Sequence, residues 1–295
     1  MKIAIYGHSF NENTQQYVED LLNALQAKNA TIYIEINFLK LINSSLNTTF
    51  KFKTFTSYKD LDNTFDLFFT IGGDGTVLRS ITYLRDLNIP IVGINIGRLG
   101  FLATVKKEKI FEAVNAIYDN NFIVKDRSLL TVKTKPNNND LNDFCYALNE
   151  ITLSRKGTAS MITIETYLDD EYLTSYWADG LIISTPTGST GYSLSCGGPI
   201  ITPGVKSFVL TPIAPHNLNA RPLIIPDNTK VRMHTIGREN EFSLSLDSRI
   251  VTIQKGTEIF IEKAPFSIKM IEFRDNTFIQ TLRKKLLWGE DTRNK

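Results

Sequence analysis

The chain has 295 residues, 42% hydrophobic and 22% charged, with a net charge of +2. That balance fits one large or two ordinary domains with packed cores and offers no basic field for nucleic acid. No apolar run approaches the roughly 18 residues of a membrane span, and the run in Met1–Gly7 is too short for a secretory signal, so the reducing cytoplasm is the expected location.

Lys2–Tyr6 reads as a buried strand ending at Gly7. Tyr17, Val18, Leu21, Leu22 and Leu25 then recur at helical spacing. Thr31–Ile36 is β-branched and strand-like, whereas Leu39–Lys59, with its Asn/Ser/Thr cluster, is expected as a loop. A strand over Leu67–Ile71 runs into Gly72-Gly73-Asp74-Gly75-Thr76, and a helix is expected from Thr76 with Val77, Leu78, Ile81 and Leu84 on its apolar face. Ile91–Ile94 forms a strand after Pro90, and Ile110, Phe111, Val114, Ile117 and Tyr118 mark another helix. Strands alternating with helices predict an α/β N-terminal domain with a parallel sheet over residues 1–125.

The pattern changes near Lys125. Short alternating runs follow at Ser128–Thr134, Tyr146–Ser154, Met161–Leu168, Leu181–Ser184, Lys230–His234, Phe242–Leu246 and Ile259–Ile261, with turns at Asp169-Asp170 and Pro136–Asn142. They predict an all-β, sandwich-like second domain over residues 126–273. Phe278, Leu282, Leu286 and Leu287 return to helical spacing, so a C-terminal helix within 274–295 is expected to pack back on the first domain. The two cysteines, Cys145 and Cys196, exclude a disulfide framework and a Cys-rich metal site, and both are expected as thiols.

Three clusters carry chemistry. The first is Gly72-Gly73-Asp74-Gly75-Thr76. Glycines let backbone approach a ligand, a helix start aims N–H groups at phosphate, and an aspartate there can hold a metal or take a proton from a hydroxyl. Neither a P-loop nor the dinucleotide Gly-x-Gly-x-x-Gly pattern is met, and an ordinary strand-to-helix turn also uses Gly and Asp. The second runs from Asp179 through Ser184-Thr185-Pro186-Thr187-Gly188-Ser189-Thr190-Gly191-Tyr192 to Ser195, dense in hydroxyls and glycines that suit phosphate or a purine edge; a β-turn linker is the alternative. The third is Asn149-Glu150, a polar pair in an apolar strand that needs partners if buried. His216, Asp247 and Arg249 read equally as surface or structural residues, and no Asp/Glu cluster of defined spacing marks metal ligands.

With Asn95-Ile96-Gly97-Arg98-Leu99-Gly100-Phe101-Leu102, Thr211–His216, Ala220-Arg221-Pro222 and Leu246–Arg249, these clusters occur in an order that resembles the NAD kinase family over nearly the whole chain. The resemblance implies ATP-dependent phosphorylation of the 2′-hydroxyl of the adenosine ribose of NAD, giving NADP, with Mg²⁺ or another divalent metal. It implies an α/β domain followed by a β-sandwich-like one with the ligand between them, and a homo-oligomer, dimer or tetramer, in which NAD is contacted across subunits. Asp74 would be the general base, Gly75 would lie beside the ribose and Arg79 would reach a phosphate. Asn149 and Glu150 would bind ribose and adenine. Asp179 and the run Thr187, Gly188, Ser189, Thr190, Gly191, Tyr192, Ser193, Leu194 and Ser195 would hold adenine and the nicotinamide side. Ala214 and His216 would line the shared pocket, and Phe101 and Leu102 would supply apolar walls. Trp177 stands where some relatives carry a basic or small residue, at a position that bears on NAD against NADH, and Gly191 stands where alanine is common. The first loop alone is shared with diacylglycerol-kinase-like lipid kinases, which is the alternative reading; a non-catalytic NAD sensor is a third.

Overall fold

The computed structural model describes all residues except 11, 47–49, 143, 158–159, 238, 275 and 289–295, together with the side chains of 12, 13 and 46. The chain divides into two compact units, Met1–Asp126 with the chain from Ile268 onward, and Arg127–Ser267.

The first unit begins β1 (Lys2–Gly7), α1 (Glu12–Ala27), β2 (Thr31–Glu35), α2 (Ile36–Leu46) and β3 (Lys53–Phe55), then β4 (Leu67–Gly72), α3 (Asp74–Leu84), β5 (Ile91–Asn95), β6 (Val105–Lys106) and α4 (Ile110–Tyr118). The strands lie parallel in the order β5-β4-β1-β2-β3. The strands β1, β4 and β5 are buried on both faces, so they read as continuous apolar runs. Val18, Leu21, Leu22 and Leu25 of α1 and Ile110, Val114 and Ile117 of α4 share one core with Ile3, Ile5, Phe69 and Val92 of the sheet. Because β2 lies on one side of β1 and β4 on the other, the strand order reverses between β1 and β4. The crevice at the carboxyl ends of such strands is where open α/β sheets take ligands, and the Gly72-Gly73 turn leaves β4 there, with Ile71 in register with Gly7.

The segment expected as a loop, Leu39–Lys59, instead carries most of α2, then β3 and a short 3₁₀ turn at Tyr58–Asp60. Asn43, Ser44 and Ser45 read as turn residues, yet Phe38, Leu39 and Ile42 bury one face of α2. The start of α2 is capped by the buried Glu35, whose carboxylate accepts from the Phe38 N–H at 2.9 Å.

The second unit is almost wholly β. It contains most of β7 (Ile123–Lys135), then β8 (Tyr146–Ala147), β9 (Glu150–Arg155), β10 (Ile162–Leu168), β11 (Glu171–Ala178), β12 (Gly180–Ser184), the single turn α5 (Tyr192–Ser195), β13 (Ser207–Ile213), β14 (Leu223–Pro226), β15 (Val231–Ile236), β16 (Glu241–Leu246), β17 (Arg249–Gln254) and most of β18 (Glu258–Glu272). One antiparallel sheet has the order β14-β13-β12-β9-β16-β17; the other runs β11-β10-β15-β18. Ile151, Leu153, Leu181, Ile183 and Leu244 of the first meet Ile162, Ile164, Val231, Met233 and Ile259 of the second in a single core, which makes the expected sandwich. Four strands, β11, β13, β14 and β17, were not legible. The β11 strand is an edge strand with a largely exposed face, and β13 is buried on both faces with Pro212 inside it, so neither alternates cleanly.

The last helix, α6 (Phe278–Leu286), belongs to the first unit. Thr277 caps it, and its Phe278 ring lies 5.9 Å from that of Phe101.

Candidate functional site

In the first unit the site is built at the start of α3. Gly72 has φ +156°, and a Cβ there would stand 2.1 Å from the Thr76 hydroxyl, so only glycine allows this turn. The helix starts at Asp74, two residues before the expected Thr76. The Asp74 carboxylate accepts three backbone N–H bonds from one loop: Phe101 to Oδ2 at 2.8 Å, Leu102 and Ala103 to Oδ1 at 2.9 Å each. The loop is shaped from behind by the buried Asn95, whose Nδ2 donates to the Arg98 carbonyl at 2.8 Å and whose Oδ1 accepts from Gly97 N–H at 2.8 Å. Gly100 packs so closely that a Cβ would lie 1.8 Å from Asp74 Oδ1. Glycine loop and Asn95–Ala103 loop are therefore one construction. A carboxylate offers about four lone-pair directions. Three are taken, and one on Oδ2 is left for a further donor. Gly75 and Arg79 are exposed on α3, and the Arg79 charge is felt at the Tyr6 hydroxyl.

In the second unit Asn149 and Glu150 sit where β9 meets three other segments. Asp247, in the turn between β16 and β17, is half-buried at φ +51°. Its carboxylate accepts from the N–H groups of Leu148 (2.9 Å), Asn149 (2.8 Å) and Glu150 (3.2 Å). Arg249 donates to the carbonyls of Phe144 and Tyr146, so the same hairpin holds this segment from both polarities. On the other side Thr185 N–H and the Ser184 hydroxyl reach the Asn149 carbonyl at 2.9 and 3.2 Å, and the Thr185 hydroxyl reaches the Leu148 carbonyl at 2.6 Å. The side chains are less well satisfied than the backbone. Asn149 Oδ1 and Glu150 Oε2 are buried and have no hydrogen-bond partner. Burial, then the charge of Asp247, pushes the Glu150 carboxyl up to about 8, against an N–H donated by Tyr192. Burial also pushes Asp247 upward, opposed by its three N–H donors and by Arg249.

The hydroxyl-rich loop is largely engaged with itself. Ser189 is buried, donates to the Pro186 carbonyl and accepts from Ile201 N–H at 2.9 Å. Ser193 is buried against the Thr211 hydroxyl at 2.8 Å, and the Thr190 hydroxyl bonds the Thr187 carbonyl. These hydroxyls fix the loop, which then presents the backbone of Gly191 and the exposed Tyr192 and Ser195. Asp179 is paired with Arg155, Nε to Oδ1 at 3.0 Å.

The N-terminal half matches the ATP-NAD kinase N-terminal domain over residues 3–122, and the C-terminal half matches the ATP-NAD kinase C-terminal domain over residues 148–273. The chain is 57% identical to an NAD kinase of Christiangramia forsetii and 51% identical to one of Flavobacterium johnsoniae, each over the full length of both proteins. The chain belongs to the NAD kinase family. Its activity is that of an ATP-dependent NAD kinase, which sets aside the lipid-kinase and sensor readings. The fold agrees. The yeast NADH kinase complexed with NADH superposes with a TM-score of 0.87 at 23% identity, covering 98% of this chain and 88% of that one. An Archaeoglobus fulgidus NAD kinase in complex with ATP gives 0.76 at 24% identity, covering 97% and 99%.

In this NAD kinase Ala214 is exposed at φ +43°, and the exposed Trp177 and His216 rings pack with centroids 4.3 Å apart. Among the described residues no group of three or more His, Cys, Asp or Glu could hold a metal ion, and no helix is long and apolar enough to cross a membrane. Sequence reasoning left Asp247 and Arg249 as surface or structural residues, and their bonds to the 144–150 backbone make them structural. The signal was Leu246-Asp247-Ser248-Arg249 itself, a tight turn whose carboxylate faces inward to backbone donors rather than to solvent.

Proposed function

We propose that the enzyme transfers the γ-phosphoryl group of ATP to the 2′-hydroxyl of the adenosine ribose of NAD, with Asp74 as general base. The observation that carries this reading is the Asp74 carboxylate, fixed by three backbone N–H groups with one Oδ2 lone pair left over. A base needs placement beside the proton it takes more than strength. As the 2′-oxygen bonds to the γ-phosphorus, the bond from that phosphorus to the β,γ-bridging oxygen breaks, ADP leaves and the hydroxyl proton passes to Asp74 Oδ2. In such transfers positioning and charge neutralisation do most of the catalysis. Magnesium, which prefers substrate phosphates and water over an all-protein cage, would supply charge neutralisation on the triphosphate.

Gly75 lies beside the ribose and the exposed Arg79 takes a phosphate. Asn149 and Glu150, whose buried oxygens lack partners, hold the adenosine part. Asp179, Ala214 and the loop Thr187, Thr190, Gly191, Tyr192, Ser193, Leu194 and Ser195 shape the rest of the dinucleotide site, and NAD is also contacted by a second copy in a cytoplasmic homo-oligomer. In this reading residues 1–125 carry catalysis, 126–273 bind NAD, and 274–295 complete the first domain.

The test is a coupled assay with ATP, Mg²⁺ and NAD, read by a dehydrogenase that accepts NADP only. Linked NADP formation is expected; product phosphorylated elsewhere than the 2′-position would overturn the assignment. The same assay measures Gly100→Ala. The added methyl must displace Asp74 or its loop, and a shift of about 1 Å is enough for roughly a 100-fold loss of kcat. A variant within a few-fold of wild type would show that the Asp74 position is not critical.

A further inference from the structure

The Glu150 side chain is an acid in an unusual setting. It is 91% buried, given its 9% relative exposure, and it makes no ion pair among the described residues. One carboxyl oxygen takes the N–H of Tyr192, and Oε2 has no partner. That free oxygen and Asn149 Nδ2 point at the same place, since a Cβ built on Gly191 would lie 3.0 Å from the first and 3.3 Å from the second. Behind them lies a second carboxyl, Asp247, whose oxygens are already filled by three backbone N–H groups. The Asp247 charge acts on Glu150, two interacting acids do not both ionise readily, and Asp247 is the one with donors around it.

We propose that Glu150 meets the dinucleotide as a neutral acid, its Oε2–H donating to a lone pair of the adenosine part, and that Asp247 is the positioning residue that fixes the Leu148–Glu150 backbone and keeps that proton on Glu150. This rests on the reading that Asn149 and Glu150 hold the adenosine of NAD. A carboxylate has no proton to donate, so the two forms of Glu150 select opposite ligand atoms. The neutral form dominates because Glu150 is pushed up to about 8 by burial and by Asp247. The other titratable and charged groups near it are Asp247, Tyr192, Cys196 and Arg249. The Tyr192 hydroxyl and the Cys196 thiol are both driven upward by burial, and Arg249 is engaged with the Phe144 and Tyr146 carbonyls.

The sign follows. Affinity is fully present below the Glu150 value and is lost as pH rises through it. The experiment is the Kd for NAD without ATP, measured by calorimetry from neutral to alkaline pH on wild type, Glu150→Gln and Asp247→Asn, with circular dichroism at each pH. In wild type the affinity should fall roughly tenfold per pH unit above the midpoint. In Glu150→Gln, whose amide cannot lose a proton, that decline should vanish. In Asp247→Asn the lost negative charge lowers the Glu150 value, so the decline should begin at lower pH; a purely structural role would weaken binding without moving the midpoint. A flat wild-type profile, or the same alkaline decline in Glu150→Gln, overturns the proposal while NAD binding still stands. Absence of NAD binding at every pH would instead sink the reading it rests on, and this proposal with it.

Discussion

Asp74→Asn is expected to lower kcat by about 1,000-fold, within the 10²–10⁴ range of a lost general base, while NAD still binds. The amide keeps one oxygen, and that oxygen can still accept from Leu102 and Ala103. Its NH₂ then faces the Phe101 N–H, which loses its acceptor, and an unmet buried donor costs about 1–3 kcal/mol. Two effects are therefore superimposed, a missing base and a loosened loop. They separate by measurement. A loosened loop lowers the urea midpoint and is shared with Gly100→Ala, which retains the carboxylate. A missing base lowers kcat well beyond what that variant shows. Turnover like that of wild type in Asp74→Asn would remove Asp74 from the role of base, whatever the stability change.

The glycine loop and its aspartate were legible because Gly72, Gly73, Asp74 and Gly75 follow a buried apolar strand and precede a helical pattern, although Gly72 also answers a packing demand at Thr76. What was not legible is how Asp74 is held. Its donors come from residues 27 to 29 positions later, and nothing in a local pattern announces a contact at that separation. Gly100 shows the same limit from the other side. It belongs to the Asn95–Leu102 motif, yet nothing in that motif shows that its missing side chain is the space the Asp74 carboxylate occupies. In the second unit, Asn149 and Glu150 stood out as polar residues in an apolar strand, and the structure leaves their side-chain oxygens without partners. Asp247 read equally as surface or structural, because an acid in a tight hairpin turn is usually solvated and its contact with the Leu148–Glu150 backbone depends on β9 lying beside β16. The hydroxyls of Ser189 and Ser193 hold their own loop together, an engagement that a sequence does not distinguish from one with a ligand. The missed helix α2 has the same cause in reverse, since its turn-like surface residues outvoted the three buried positions that form it.

Gly188→Ala should be the most damaging single methyl in the second unit. Its Cβ would lie 2.1 Å from the Asn149 carbonyl oxygen, 2.4 Å from the carbonyl carbon and 2.6 Å from Cα. All three are backbone atoms, so no side chain can rotate away. Asn149 cannot yield easily, because its N–H is held by Asp247 at 2.8 Å and its carbonyl accepts from Thr185 and Ser184. The loop cannot yield easily either, because Gly188 N–H is bonded to the Thr185 hydroxyl at 3.1 Å and Ser189 is pinned at Ile201. Overpacking of this kind costs about 3 kcal/mol, and any relaxation separates Asn149 and Glu150 from Gly191. The expected result is a large fall in the urea midpoint, with NAD affinity reduced roughly 100-fold in whatever remains folded. Gly191→Ala is the control. Its Cβ would meet the end of the Glu150 side chain at 3.0 Å and the Gly188 carbonyl at 3.2 Å, contacts that a few tenths of an ångström relieve, so its stability loss should be well under that of Gly188→Ala. Equal effects from the two substitutions would mean that the Asn149 backbone is not the fixed point around which this site is built.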